Sequence, residues 1–266
     1  MPVAKLKNLV ILILALANVL LLSLLIPRQM EQNARQMELR ESLVQLCQAQ
    51  NVILSPDAVP ETVELYALEL ADAEAAKAVA LEALLGYAPQ ENESGVLISA
   101  DSLRLGTWRE QQISLKLQGL GDVSNMAAGS KKLLESMGFD LYTLDSGRRL
   151  SPGIYAYTAH QAVLGVPVFS DGLKLTYGNN AVIAIEGDFY AGTLTRVDDT
   201  ACISAAEAVV AFLEARVEQG WVGSAIMELE QGYAPAGDRR LTPVWMVVTD
   251  TGSFCVDGLT AQVSTQ

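Results

Sequence analysis

Residues 9–26, LVILILALANVLLLSLLI, form an apolar run broken only by Asn18 and Ser23. As a helix rising about 1.5 Å per residue it would reach about 27 Å, the thickness of a thin hydrocarbon core. A cleavable leader has a shorter apolar stretch, followed by small residues at the cleavage site. Here Pro27-Arg28-Gln29 follows, and no cysteine stands close behind to accept a lipid. Lys5 and Lys7 precede the run, which favours a cytoplasmic tail at residues 1–8. We therefore expect a single uncleaved transmembrane anchor at 9–26, localised to the cell membrane, with the rest of the chain extracytoplasmic. A cleaved signal and a buried core helix are the lesser alternatives. Asn18 shares a stripe with Ile11, Ala15, Leu22 and Leu25, the candidate contacts with a transmembrane partner. Its amide either bonds across to a neighbouring helix, worth about 1 kcal/mol, or bonds to its own backbone.

Residues 27–50 contain no glycine and, after Pro27, no proline, and read as a juxtamembrane helix. Leu39, Leu43 and Leu46 give it one apolar face, and Met30, Met37 and Val44 a second, heptad-spaced line. The second line is the candidate juxtamembrane partner surface. Packing onto the body is the other use of these faces.

Beyond it we expect two modules, at 51–145 and 146–266. The first holds a short strand near NVILSP, an Ala-rich helix from Asp72 to Leu85 capped by Gly86, and strands in GVLISADSLRL and QQISLKLQG. A helix near Asp122–Met137 follows, and Gly138 before Phe139 fits a Schellman stop. In the second module Gly178-Asn179-Asn180 separates two β-rich runs and reads as a hairpin. Ser204 and Glu207 form the S-x-x-E of a capping box, and Gly220 ends that helix. Three strands close the chain, the last pair turned by Asp250-Thr251-Gly252. This alternation predicts an α+β fold behind a single N-terminal transmembrane helix, with helices packed on antiparallel sheets in two modules.

Charge and residue inventory narrow the function. All 31 acidic residues lie beyond position 28, against 15 basic ones there, leaving −16. Such a surface repels phosphate backbones, so no nucleic acid is expected as a partner. Cys47, Cys202 and Cys255 have no metal-ligand spacing; free thiols are expected, with a Cys202–Cys255 pair left open. The single histidine, His160, stands in a strand-like context without a recognisable nucleophile motif. Glu186 and Asp188 would share one side of a strand, and their Glu-Gly-Asp setting reads as a solvated edge rather than a cation site. Asp198-Asp199 reads as a loop, and Trp108, Trp221 and Trp245 as packing residues. No catalytic residue, cofactor or metal ligand is assigned, and the chain is not expected to be an enzyme.

The anchor, GVPVFSDGLKLTYGNNAVIAIEGDFYAG, the helix opening ISAAEAV and GYAPAGDRRLTPVWMVVTDTGSFCVDGLTAQV together resemble the YycI/YycH-type regulatory proteins of Gram-positive bacteria, YycI more than YycH. The end of the chain is also similar to PepSY-like modules, in which a helix packs on an antiparallel sheet. The resemblance covers the anchor and about residues 150–264. It implies a cofactor-free regulator that touches a membrane sensor histidine kinase of the WalK or YycG type, and a second YycH-like regulator, to tune cell-wall two-component signalling. The alternative is a PepSY-type inhibitor or chaperone of a secreted peptidase. Residues 51–125 are not covered by the resemblance.

Overall fold

The structure, a computed structural model, describes residues 37–99, 104–120, 124–237 and 239–265. Helix α1 (37–49) leads into β1 (Ile53–Leu54), a one-turn 3-10 helix, β2 (Tyr66–Ala71) and α2 (Ala73–Leu85). Short strands β3 (Gln90–Glu91) and β4 (Leu97–Ile98) precede β5 (Arg104–Arg109), β6 (Gln112–Leu120) and α3 (Met126–Ser136). The central strands are β7 (Leu141–Leu144), β8 (Arg148–Ser151), β9 (Ile154–Val163), β10 (Val166–Pro167), β11 (Leu173–Gly178) and β12 (Ala181–Asp188). The chain closes with β13 (Thr193–Ala201), α4 (Ala205–Gln219), β14 (Ala225–Pro235), β15 (Arg240–Thr249), β16 (Ser253–Asp257) and β17 (Val263–Thr265).

Many local expectations hold for identifiable reasons. Asn179 and Asn180 both take positive φ, 52° and 64°, which suits a two-residue hairpin between paired Gly178 and Ala181. Gly138 ends α3 with the Phe139 N–H on Leu134 O at 2.9 Å and its own N–H on Glu135 O at 3.1 Å, the Schellman pattern. The reciprocal Ser204–Glu207 capping box is formed, and the carboxyl of Glu207 is held low by the Ser204 N–H and hydroxyl. Val209, Phe212 and Leu213 of α4 are buried against β15, β16 and β17. A helix thus lies on an antiparallel sheet at the C-terminal end of the body. The cysteines are free, so no Cys202–Cys255 bond exists.

The fold class is corrected. The described chain is mainly β, with 45% of it in strands against 25% in helices, arranged in two sheets rather than an α+β succession of two modules. One sheet joins β1 and β2 to β13–β17, drawing on both ends of the sequence; the other contains β3–β12. Among the described residues no helix is long and apolar enough to cross a membrane, and residues 9–26 lie outside them. The α+β expectation overvalued Ala-rich helices, which are conspicuous by composition. It missed strands whose side chains are mostly solvated. Thr193–Ala201, containing the Asp198-Asp199 read as a loop, is such a strand: it pairs with β2 and bulges between Arg196 and Ala201.

The sheets are joined by the segment after β9. Leu164 and Gly165 turn the chain back at φ 53° and 82°, so that Val166 and Pro167 pair with Val163 and Ala162. The next residue, Val168, bridges to Tyr233 of β14, and the Phe169 N–H donates to Tyr233 O at 2.8 Å. Gly232 makes this approach feasible, because a Cβ there would collide with Pro167 O. Around the joint, Leu65, Leu68, Val163, Val168 and Tyr233 form a third core between the two helix-covered ones.

Two buried glutamines seal it. The Gln161 amide donates to Tyr190 O at 3.0 Å and accepts from the Tyr190 N–H at 2.9 Å. Gln231 does the same with Val63, at 2.8 and 2.7 Å. Each side chain replaces a missing ladder rung. Gln161→Leu therefore strands two buried backbone groups and should lower unfolding free energy by about 2–4 kcal/mol in urea titrations. A loss below about 0.5 kcal/mol would mean the rung is dispensable.

Candidate functional site

Two features of the body can meet another molecule: a cleft between the sheets and a helical face beside α1. The cleft, about 670 Å³, is walled by Tyr142 and His160 from one sheet and Glu230 from the other, with Phe169, Asp171 and Asp188 below. The Tyr142 hydroxyl donates to the Glu230 carboxylate across the opening. That bond, with burial and the negative charge, pushes the phenol up to about 12. His160 Nε2 lies 3.7 Å from Asp145 Oδ2, both side chains partly exposed.

The Glu186–Asp188 pair does not form the solvated edge expected of it. Strand β12 lies between β11 and β6, so its end is interior. Glu186 pairs across β11 with Lys174 at 3.1 Å, while Asp188 lies opposite Gln112 of β6 and accepts its side-chain amide. Gly187, at φ 129°, packs so close to Gly172 that a Cβ would strike its carbonyl. Asp188 is 8% exposed, and burial, with Asp171 adding repulsion, raises its carboxyl above the ordinary range. Among the described residues no three His, Cys, Asp or Glu side chains converge as a metal site would require.

The helical face is built from α1. Leu43 and Cys47 are buried in one core with Val52, Val209, Phe212 and Leu213. Its end is fixed by Asn51, whose φ of 57° lets its own N–H reach Gln48 O at 3.0 Å and the Val52 N–H reach Cys47 O at 2.8 Å. Ile53 then enters the sheet at once, pairing parallel with Ala225 of β14. No free linker separates helix from body. The Cys47 thiol is pushed up to about 11 by burial, so it is a packing group at neutral pH.

Of the sequence-derived contact residues, Met37 is exposed and Val44 is half-buried against the core. Ile11, Ala15, Asn18, Leu22, Leu25 and Met30 lie outside the described residues. Within the stripe Leu39, Leu43 and Leu46, only Leu43 is buried; Leu39 and Leu46 flank it in the open. Sequence reasoning missed Val210 and Val217 of α4, which are exposed beside Leu46. Their seven-residue spacing off the core-facing side of α4 was the available signal.

No family model matches the chain, and no curated protein does. Several solved structures are similar at low identity, two of them as follows. One is an uncharacterized protein from Eubacterium rectale ATCC 33656, at 10% identity and TM-score 0.35, covering 56% of this chain; the chain spans 58% of that protein's length. The other is the C-terminal domain of Bacillus megaterium YpeB, at 13% identity and TM-score 0.38, covering 74% of this chain and 98% of that one. Likeness at this level carries no functional argument.

Two outcomes test the site. A carboxyl raised in the folded state stabilises most when protonated, and that contribution fades as pH climbs from the unfolded value through the folded one. Asp188→Asn should therefore gain stability relative to the native chain as pH rises from acid to neutral in parallel denaturation series. A constant difference would refute the burial effect. Cys47 should resist thiol reagents at pH 8 in the native protein. Leu43→Ala, costing about 2–3 kcal/mol of docking, should raise its labelling rate about 30- to 150-fold.

Proposed function

We propose that the protein is a membrane-attached extracytoplasmic regulator that modulates a sensor histidine kinase by contact, in the manner implied by its resemblance to YycI/YycH-type proteins. A second YycH-like regulator is the further partner this reading implies. Support for attachment comes from the apolar run 9–26 and the lysines before it. One observation carries the mechanism: α1, which follows that run in the chain, is locked to the body by Leu43, Cys47 and the Asn51 stop, without a hinge. A displacement reaching α1 would move the whole acidic domain with it.

Energetically the device is modest. A neighbouring helix shifts a two-state kinase only by the difference in its binding free energy for the two states. A difference of about 1.4 kcal/mol changes their ratio tenfold. Packing contacts and one cross-helix amide bond from Asn18 are of that order. The charge of −16 beyond residue 28 keeps the body off anionic headgroups and phosphate polymers, and favours a basic protein surface as partner.

The test is a reporter driven by the kinase's response regulator in cells carrying variants at equal protein level. Inserting six Gly-Ser residues between positions 36 and 37 should bring the output close to that of the deletion strain. Replacing residues 9–26 with an unrelated apolar helix should do likewise. Unchanged output in both would sink the coupled-regulator reading. Inhibition of a secreted peptidase by residues 37–266 alone would favour the PepSY-type inhibitor instead.

A further inference from the structure

Helices α1 and α4 run side by side in the same direction over the C-terminal sheet. Near their N-terminal ends Leu39 and Leu43 face Ala205 and Ala206 around a cavity of about 170 Å³. Farther along, Leu46 and Gln50 face Val210, Leu213 and Val217 around one of about 380 Å³. Arg216 Nη1 ties the far ends together by donating to Gln50 O at 3.5 Å.

The furrow between them has a regular lining. Leu39, Leu43 and Leu46 on α1 are spaced 4 and 3 apart; Val210, Leu213 and Val217 on α4 are spaced 3 and 4 apart. Leu43 and Leu213 are its buried floor, each 5% exposed. Leu39, Leu46, Val210 and Val217 stand along the lips at 57, 38, 36 and 64% exposure. Four large apolar groups lined up on one furrow differ from the isolated surface valine that needs no explanation. Two helices with stripes at heptad spacing offer holes for the knobs of a third.

Charge marks one edge. Glu214 and Glu218 lie on the outer flank of α4, exposed and without an ion pair among the described residues. Arg216 is taken up by backbone carbonyls, its Nε on Gly223 O at 3.0 Å and its Nη1 on Gln50 O. On α1, Glu38 and Glu41 are exposed as well. A second copy of α4 would bring Glu214 and Glu218 against the same carboxylates, whereas α1 carries Arg40 beside Leu39 on the furrow.

We propose that this furrow seats a helix of a partner protein: amphipathic, with Leu, Ile or Val at 4-3 spacing and Lys or Arg along the edge meeting Glu214 and Glu218. The proposal rests on the regulator reading above and adds where on the body the partner sits. The apolar stripe supplies burial, and the charges set orientation and disfavour a second copy of α4.

The experiment uses the full-length chain in detergent micelles and two fluorescein-labelled helical peptides of 25 residues. Both carry the same Leu stripe; one is flanked by Lys, the other by Glu. The Lys-flanked peptide should bind at least about ten-fold tighter at low salt, an advantage that shrinks as salt is raised. Val217→Lys and Val210→Lys change exposed positions, so folding, checked by circular dichroism, should survive while binding of the Lys peptide falls about ten-fold or more. Equal binding of both peptides, or binding indifferent to Val217→Lys, overturns the proposal. So does a dimer in sedimentation that Val217→Lys dissolves, which would assign the furrow to a second copy. If Val217→Lys abolishes peptide binding yet leaves the kinase reporter unchanged, the furrow is not the regulatory seat while the regulator reading stands. If the Gly-Ser insertion and the anchor replacement both leave the reporter unchanged while the peptide binds as described, the regulator reading fails and the furrow stands.

Discussion

The structure depends on one short stretch, residues 166–169, being used twice. Val166 and Pro167 complete a hairpin with β9, and the next two residues reach across to Tyr233 of β14. The Val168 N–H still donates to Gln161 O at 2.8 Å, so the chain keeps its hold on β9 while it reaches the other sheet. Gly232 leaves the gap the crossing segment fills. Without this joint the two sheets would be separate layers, each with its own helix-covered core. With it, a third core forms around Tyr233, and the cleft between Tyr142 and Glu230 acquires a floor.

That joint also explains where the backbone becomes irregular and how it is satisfied. At a sheet-to-sheet crossing some amide groups cannot meet ladder partners, and a buried unpaired group costs roughly 1–3 kcal/mol. Gln161 and Gln231 each carry a donor and an acceptor on one planar amide, so each can stand in for an opposing backbone residue. Both are 5% exposed and both bind the N–H and C=O of a single residue. Trp245 plays a related part at the other core, its indole N–H on Ile203 O at 2.9 Å, fixing the entry of α4 over β15. The helical layer is therefore rigidly mounted, and α1 shares that mounting through Leu43 and Cys47.

The elements legible in the sequence were those whose signal is local. The Asn179-Asn180 turn, the Ser204–Glu207 box and the Gly138 stop are each set by backbone geometry within a few residues, and each formed where expected. Strand β13 was not legible: its side chains are almost all solvated, it is a strand only through its pairing with β2, and Asp198-Asp199, read as a loop, sit in the bulge that interrupts that pairing. Asp188 was misplaced for the same reason. Two carboxylates beside a glycine look like a turn until β6 is known to lie alongside. At the helical face, Leu39, Leu43 and Leu46 were visible as a stripe, but which of them is covered depended on α4 lying next to them.

What the sequence by itself determined about this protein is the apolar run at residues 9–26, the acidic character of everything after it, and the caps and turns that bound its helices and hairpins. Those follow from composition and from neighbours within about one helical turn. Tertiary structure alone decided that strands from both ends of the chain share one sheet, that residues 166–169 bind the sheets together, and that α1 and α4 meet to leave a furrow. Each of these pairs residues far apart in the chain. Such pairs are chosen by which surfaces can be buried together with every polar group satisfied, and no local pattern records that choice.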